Sequence, residues 1–281
     1  MSIDLKNCPG WAFLSLAANG LLALTIAWVL VGKYYFDTPP IDNQSRSIVR
    51  FLPPPPELPP ELGPRHQLSY RQWVRLLKQE ATVVARSKPK NLTILLGDSL
   101  SLWFPPELLP PDRYWLNQGI SGETSAGLLN RLNLLDRTEP EVILLMIGIN
   151  DLARGVDDVT LLANQQAIIR YLRRVHPDTK IVVQSILPHG GEEMSEERRD
   201  RFLKIPNSRI RELNDKLAVI AKAEEVIYLD LYPLFSNEEG ELKTELSSDG
   251  LHLSPEGYQV WHYALQVLSQ LQLNTPTDTD K

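Results

Sequence analysis

Five short apolar runs punctuate the second two-thirds of the chain: residues 92–96, 114–116 followed by Asn117, 142–147, 181–186 and 226–231. Each is a continuous block of apolar, mostly branched side chains, not an alternation of apolar and polar ones. That is the pattern of strands covered on both faces. Between the runs, apolar positions recur at intervals of three and four. This holds in SAGLLNRLNLL (125–135), VTLLANQQAIIRYLRRV (159–175), NSRIRELNDKLAVIAKA (207–223) and residues 255–271, all of which predict helices. One further amphipathic helix, YRQWVRLLKQEATVV (70–84), leads in. Strand alternating with helix predicts a parallel five-stranded sheet in a three-layer α/β/α domain.

The pattern is different at the N-terminus. Residues 11–32, WAFLSLAANGLLALTIAWVLVG, carry no charge. As a helix they would extend about 33 Å, enough for the roughly 30 Å hydrocarbon core of a bilayer. A secretory signal has a shorter apolar region and a small-residue cleavage site, and Trp28-Val29-Leu30-Val31 is a poor one. Trp11, Trp28, Tyr34 and Tyr35 stand where interfacial aromatic anchors belong. The segment therefore reads as a single-pass transmembrane anchor behind a 1–10 flank, in preference to a buried core helix. Lys6 precedes it and Lys33, Arg46 and Arg50 follow, a count that leans towards a cytoplasmic C-terminal part. Nine of the chain's 22 prolines fall between residues 38 and 64. Such density favours an extended polyproline II spacer, so 33–64 reads as a linker, with a proline-recognition ligand as the other reading. A soluble domain is expected over 65–272, then a disordered tail over 273–281.

With 281 residues, 43% of them apolar, the chain suits one ordinary domain plus the anchor. A net charge of −6 and the lack of any concentrated Lys/Arg run argue against a nucleic-acid partner. Cys8 is the only cysteine, which excludes an intramolecular disulfide and a cysteine-based zinc site. No G-x-G-x-x-G or G-x-x-x-x-G-K-[ST] follows the first strand, so nucleotide binding lacks the feature it needs.

Open parallel sheets bind ligands at the carboxyl ends of their strands. The chemistry-bearing residues follow the predicted strands: Gly97-Asp98-Ser99 after the first, NQGISGETS (117–125) with the second, Gly148-Ile149-Asn150-Asp151 after the third, and DGLHLSP (249–255) after the fifth and a loop. A serine hydroxyl becomes a nucleophile when a histidine takes its proton, and that histidine needs a carboxylate to hold its tautomer. Ser99, His252 and Asp249 are the candidates. The Ser99 N–H, the Gly119 N–H and the Asn150 side-chain amide are candidate donors for an oxyanion hole.

GDS, the glycine block NQGISGETS, GIND and DGLH, in this order, resemble the SGNH hydrolases, also called the GDSL esterase/lipase family. The resemblance spans roughly residues 91–271. It implies a flavodoxin-like fold and ester hydrolysis through an acyl-serine: Ser99 as nucleophile, His252 as base, Asp249 as its partner, and Gly119 and Asn150 with the Ser99 amide in the oxyanion hole. It also favours an exported enzyme, hence an extracytoplasmic catalytic domain. The α/β-hydrolase elbow G-x-S-x-G does not fit, since Ser101 stands at the second glycine.

Asp98 reads as structural, bonded to nearby amides, and Asp151 as a supporting residue or helix cap. His189 could line the crevice. His66, His176 and His262 have no partner at useful spacing, and residues 192–201 read as a solvated face of an insertion. Trp103, Phe104, Trp115 and Leu251 are as well explained by core packing as by an acyl wall. The substrate classes in view are a lysophospholipid, a short acyl ester or an acetylated sugar. An acyltransferase on the same residues and a non-catalytic binding module are the alternatives. No cofactor or metal is required.

Overall fold

The computed structural model describes residues 68–273. The predicted flank, anchor and linker, His66, and all of the tail but Leu273 lie outside the described residues. Among the described residues no helix is long and apolar enough to cross a membrane.

Five strands form one sheet: β1 (Leu92–Gly97), β2 (Tyr114–Gly119), β3 (Val142–Met146), β4 (Lys180–Gln184) and β5 (Ile227–Leu229). Their order is β2-β1-β3-β4-β5 and every pairing is parallel. This is the doubly wound, flavodoxin-like order, with its switch point between β1 and β3. The helices packed against the sheet are α1 (Tyr70–Ser87), α3 (Ser125–Arg131), α5 (Asp158–Val175), α7 (Asn207–Ala223) and α9 (Pro255–Leu268). Short ones follow strand ends or fill the insertion: α2 (Ser99–Leu102), α4 (Ile149–Ala153), α6 (Glu196–Phe202) and α8 (Tyr232–Phe235).

The continuous apolar runs are explained by two-sided burial. Ile94, Leu96, Ile143, Leu145 and Val183 pack with Leu128, Ile168, Leu172 and Leu217 on one face. The intervening Leu95, Leu144, Met146 and Val182 pack with Phe104, Phe235, Trp261 and Leu265 on the other. Successive strand residues point to opposite faces, and helices cover both, so neither set can be polar.

Helix ends agree with local chemistry. Thr124 caps α3 by accepting from the Gly127 N–H, Asp157 caps α5 through the Thr160 N–H, and Ser254 caps α9 through the Gly257 N–H, with Pro255 in the first turn. Two predicted helices are shorter than expected. The 125–135 run passes into a 3₁₀ turn at Leu132–Leu135, and the last one changes pitch at Ser269–Leu273.

Candidate active site

Ser99 is the first residue of α2, directly beyond the end of β1 at the switch point. Asp98 caps that helix: its Oδ1 accepts from the Leu100 N–H at 3.0 Å. From the other side, the loop between α8 and α9 brings in Asp249 and His252. A bridge between Ser247 and Leu253 closes this loop, and the Ser248 N–H donates to the His252 carbonyl at 2.9 Å.

His252 Nε2 lies 3.0 Å from Ser99 Oγ, and its Nδ1 lies 2.8 Å from Asp249 Oδ2. A carboxylate only accepts, so Nδ1 carries the proton and the Nε2 lone pair faces the Ser99 hydroxyl. Asp249 Oδ1 accepts from the Leu251 and His252 amides at 3.0 and 2.8 Å. Burial raises the Asp249 carboxyl. Hydrogen bonds from the His252 ring and amide, and from the Leu251 amide, outweigh that and hold it below the usual carboxylate range. Ser99 and His252 are both buried, and the Trp103 ring covers the imidazole with 4.1 Å between ring centroids.

Asn150, in α4 beyond β3, donates one Nδ2 hydrogen to Asp98 Oδ2 at 3.2 Å, which leaves its second hydrogen for another acceptor. Asp98 is fully buried. Burial pushes its carboxyl up to about 7, against the hydrogen bonds from Leu100 and Asn150. Asp151 ties helices together. Its carboxylate accepts from the Ser125 N–H at 2.8 Å and the Ser125 hydroxyl at 2.5 Å, pinning the start of α3 to α4.

Gly119 corrects an expectation. It is the last residue of β2, and its N–H donates to Asn117 Oδ1 at 2.9 Å, so that amide is already used. A Cβ there would lie 2.4 Å from the Leu102 N and 2.7 Å from the Asp98 O, so Gly119 lets β2 pass tightly against α2. The donor left open is three residues on. Glu123 N–H bonds to the Ile120 carbonyl, closing a turn whose third residue, Gly122, has φ of +73°, where glycine is favoured. Among the described residues the Gly122 N–H has no partner, while its carbonyl accepts from Arg154 beyond α4 at 2.6 Å. The positive-φ turn within NQGISGETS was the available signal for Gly122.

The insertion contributes a second residue that sequence reasoning missed. Arg198, in α6, places Nη1 3.0 Å from Asp249 Oδ2. That stretch is therefore not only a solvated face. His189 does not join the site: it is buried, its Nδ1 accepts from the Gly191 N–H, and its Nε2 bonds to the Ile205 carbonyl at 2.6 Å. His262 Nδ1 bonds to the Leu108 carbonyl, and His176 is buried behind the end of α5. Phe104 stacks edge-on with Tyr258 and Trp261 in the core, and Trp115 donates to the Pro110 carbonyl. Leu251 packs with Met194 and Phe202 of the insertion. Among the described residues no group of three or more His, Cys, Asp or Glu could hold a metal ion.

A buried serine in line with a histidine and a carboxylate, at the switch point of a doubly wound sheet, defines a serine-hydrolase type of site. A family model described as "GDSL-like Lipase/Acylhydrolase family" matches residues 103–260, more than half of the chain, and the chain belongs to that family. It is an ester-hydrolysing enzyme. The chain is 29% identical over 185 residues to rat (Rattus norvegicus) platelet-activating factor acetylhydrolase IB subunit alpha1, covering 62% of this chain and 74% of that one. It is 27% identical over 192 residues to an arylesterase of Vibrio mimicus, covering 63% and 86%. The solved structure of a GDSL-like lipase from Bacteroides thetaiotaomicron superposes with a TM-score of 0.58 at 20% identity, covering 70% of this chain and 98% of that one.

Proposed function

We propose that the enzyme cleaves carboxylic esters of small acyl groups through an acyl-serine at Ser99. The observation that carries this reading is the unbroken chain from Ser99 Oγ to His252 at 3.0 Å and from His252 to Asp249 at 2.8 Å. His252 Nε2 takes the hydroxyl proton as Oγ bonds to the ester carbonyl carbon. Asp249, held ionised, stabilises the imidazolium that results. The carbonyl oxygen gains the negative charge and accepts from the Ser99 N–H, the Gly122 N–H and the free hydrogen of Asn150 Nδ2. The first N–H groups of a helix have no intrahelical partner, which leaves the Ser99 amide available. Collapse expels the alkoxide, which takes the proton from Nε2. Water then enters: its oxygen bonds to the acyl carbon as Nε2 takes its proton, the carbon–Oγ bond breaks, the acid leaves, and Oγ recovers the proton from Nε2.

Support for a small acyl group comes from the relatives, whose names include an acetylhydrolase and an isoamyl acetate-hydrolyzing esterase of Saccharomyces cerevisiae. The leaving alcohol is proposed to be apolar. An open cavity of about 1050 Å³ meets the site at Trp103, the ring that covers His252; Leu76, Leu102 and Trp115 line it on the apolar side, and Glu107 and Arg113 add charge to its rim. The uncharged run 11–32 supports a membrane tether, and the extracytoplasmic placement of the catalytic domain rests on the family resemblance, against the lean of the basic-residue count. Protease protection of the full chain in sealed vesicles tests that placement.

The first experiment compares hydrolysis of p-nitrophenyl acetate, butyrate and octanoate by the full chain and its variants. Ser99→Ala is expected to lose activity by about 10⁶-fold and Asn150→Ala to lose about 10²–10³ in kcat, with both still folded. A folded Ser99→Ala enzyme of undiminished activity would overturn the mechanism. Wild-type turnover only when a sugar hydroxyl is supplied would instead make the enzyme an acyltransferase.

A further inference from the structure

The Asp249 carboxylate is held by four donors. Three belong to its own loop: the Leu251 and His252 amides on Oδ1 and the His252 ring on Oδ2. The fourth, Arg198 Nη1 on Oδ2, is 51 residues away in sequence and comes from α6. A carboxylate has about four lone-pair sites, so the set is complete with Arg198 and incomplete without it. The same nitrogen is 3.0 Å from His252 Nδ1. Since Nδ1 already carries the proton given to Asp249, that approach sets a cation beside an N–H and is not a second hydrogen bond.

The backbone keeps α6 in place independently of this side chain. The Ser195 N–H donates to the Asp249 carbonyl at 3.3 Å, and the Gly190 N–H donates to the Gly250 carbonyl at 2.7 Å. Met194, fully buried, packs against Gly250, and Arg199 donates twice to the Met194 carbonyl, at 3.2 and 3.0 Å. The insertion is thus stitched to the catalytic loop, and among the described side chains Arg198 is the charged group that it directs onto the serine–histidine–carboxylate chain.

We infer that Arg198 is a positioning residue of this site, a guanidinium clamp that pins the Asp249 carboxylate and opposes positive charge on His252. The inference rests on the proposed acyl-serine mechanism. The clamp has two consequences. Asp249 cannot rotate its oxygens away from Nδ1, and part of its charge is spent on Arg198, so the imidazolium gains less from it. Removing the guanidinium takes a cation from beside Nδ1 and leaves Oδ2 to the Nδ1–H alone, so that bond strengthens. The other groups in reach stay the same in such a variant: Trp103 over the ring, and the buried Asp98, bonded to Asn150 and acted on by the charges of Asp151 and Glu123, with Tyr258 in turn within reach of the Asp98 charge.

The test uses the full chain with Arg198→Gln and Arg198→Lys, and Arg198→Met where glutamine disturbs folding. Two readouts are taken: the low-field proton resonance of the Nδ1–H bond, which needs no turnover, and the acid limb of kcat/KM against pH. In Arg198→Gln the resonance is expected to move downfield. The acid limb moves to higher pH, the direction expected when a half-exposed cation is taken from beside the ring. Lysine returns both most of the way. A role confined to packing α6 leaves both unmoved in a folded Arg198→Gln enzyme, and that result overturns the clamp. If wild type cleaves no ester, the hydrolase mechanism falls, and the resonance alone decides the clamp.

Discussion

Asp98 is adjacent to the nucleophile, yet it never touches the reacting atoms: it caps α2 and holds the Asn150 amide. Its folded value of about 7 stands above its ordinary 3.8. The folded state therefore binds the Asp98 proton more tightly than the unfolded chain does. Between about pH 4 and about 7 this group's contribution to stability falls as pH rises, by linkage. Asp98→Asn is expected to remove that slope. The difference in unfolding free energy, variant minus wild type, should grow by a few kcal/mol over this window. Denaturant titrations at pH 4, 5.5 and 8 check this, and a difference independent of pH would refute it. At this scale Asp249 and His252 were legible because three residues of one loop bring them together. Arg198 was not, since its contact crosses 51 residues and only packing of the insertion creates it.

Among the elements, the close pass of β2 against α2 carries the most constraint. Gly97 and Gly119 face each other in register at the ends of β1 and β2. A Cβ on Gly119 meets backbone atoms of Asp98 and Leu102, which cannot swing aside as a side chain can. Gly119→Ala is expected to cost at least about 1–3 kcal/mol in thermal or denaturant unfolding. It should also lower kcat, because the displaced backbone carries Ser99. A stable, fully active Gly119→Ala enzyme would show that the strand and helix separate freely. The strand runs and long helices were readable because periodicity reports burial directly. The short helices α2 and α4 were not, since four or five residues are too few to show a period. Gly119 was misassigned for a related reason: two glycines three residues apart look alike until the strand's end is located and one amide is seen to be taken by Asn117.

Across the described residues, the two largest apolar clusters lie on opposite faces of one sheet, smaller ones sit under the insertion and α1, and the site lies at the sheet's carboxyl edge. Leu145, fully buried in the central strand β3, belongs to the layer with Ile168 and Leu172, away from Ser99. Leu145→Ala should cost about 2–5 kcal/mol of stability. The enzyme should keep kcat/KM within a few-fold well below its melting temperature, as measured by calorimetry and ester hydrolysis. Loss of activity with the fold intact would show that the layer and the site are coupled more tightly than their separation suggests.

The sequence by itself determined the layers, the parallel sheet and the order in which the reactive residues arrive, because burial on both faces and local spacing are written along the chain. Tertiary structure alone decided which amide stays free for an oxyanion and which carboxylate supports a helix instead of the reaction. It also brought a distant arginine onto Asp249. Those outcomes depend on how separate segments meet, and hydrogen-bond donors and acceptors are committed only when they do.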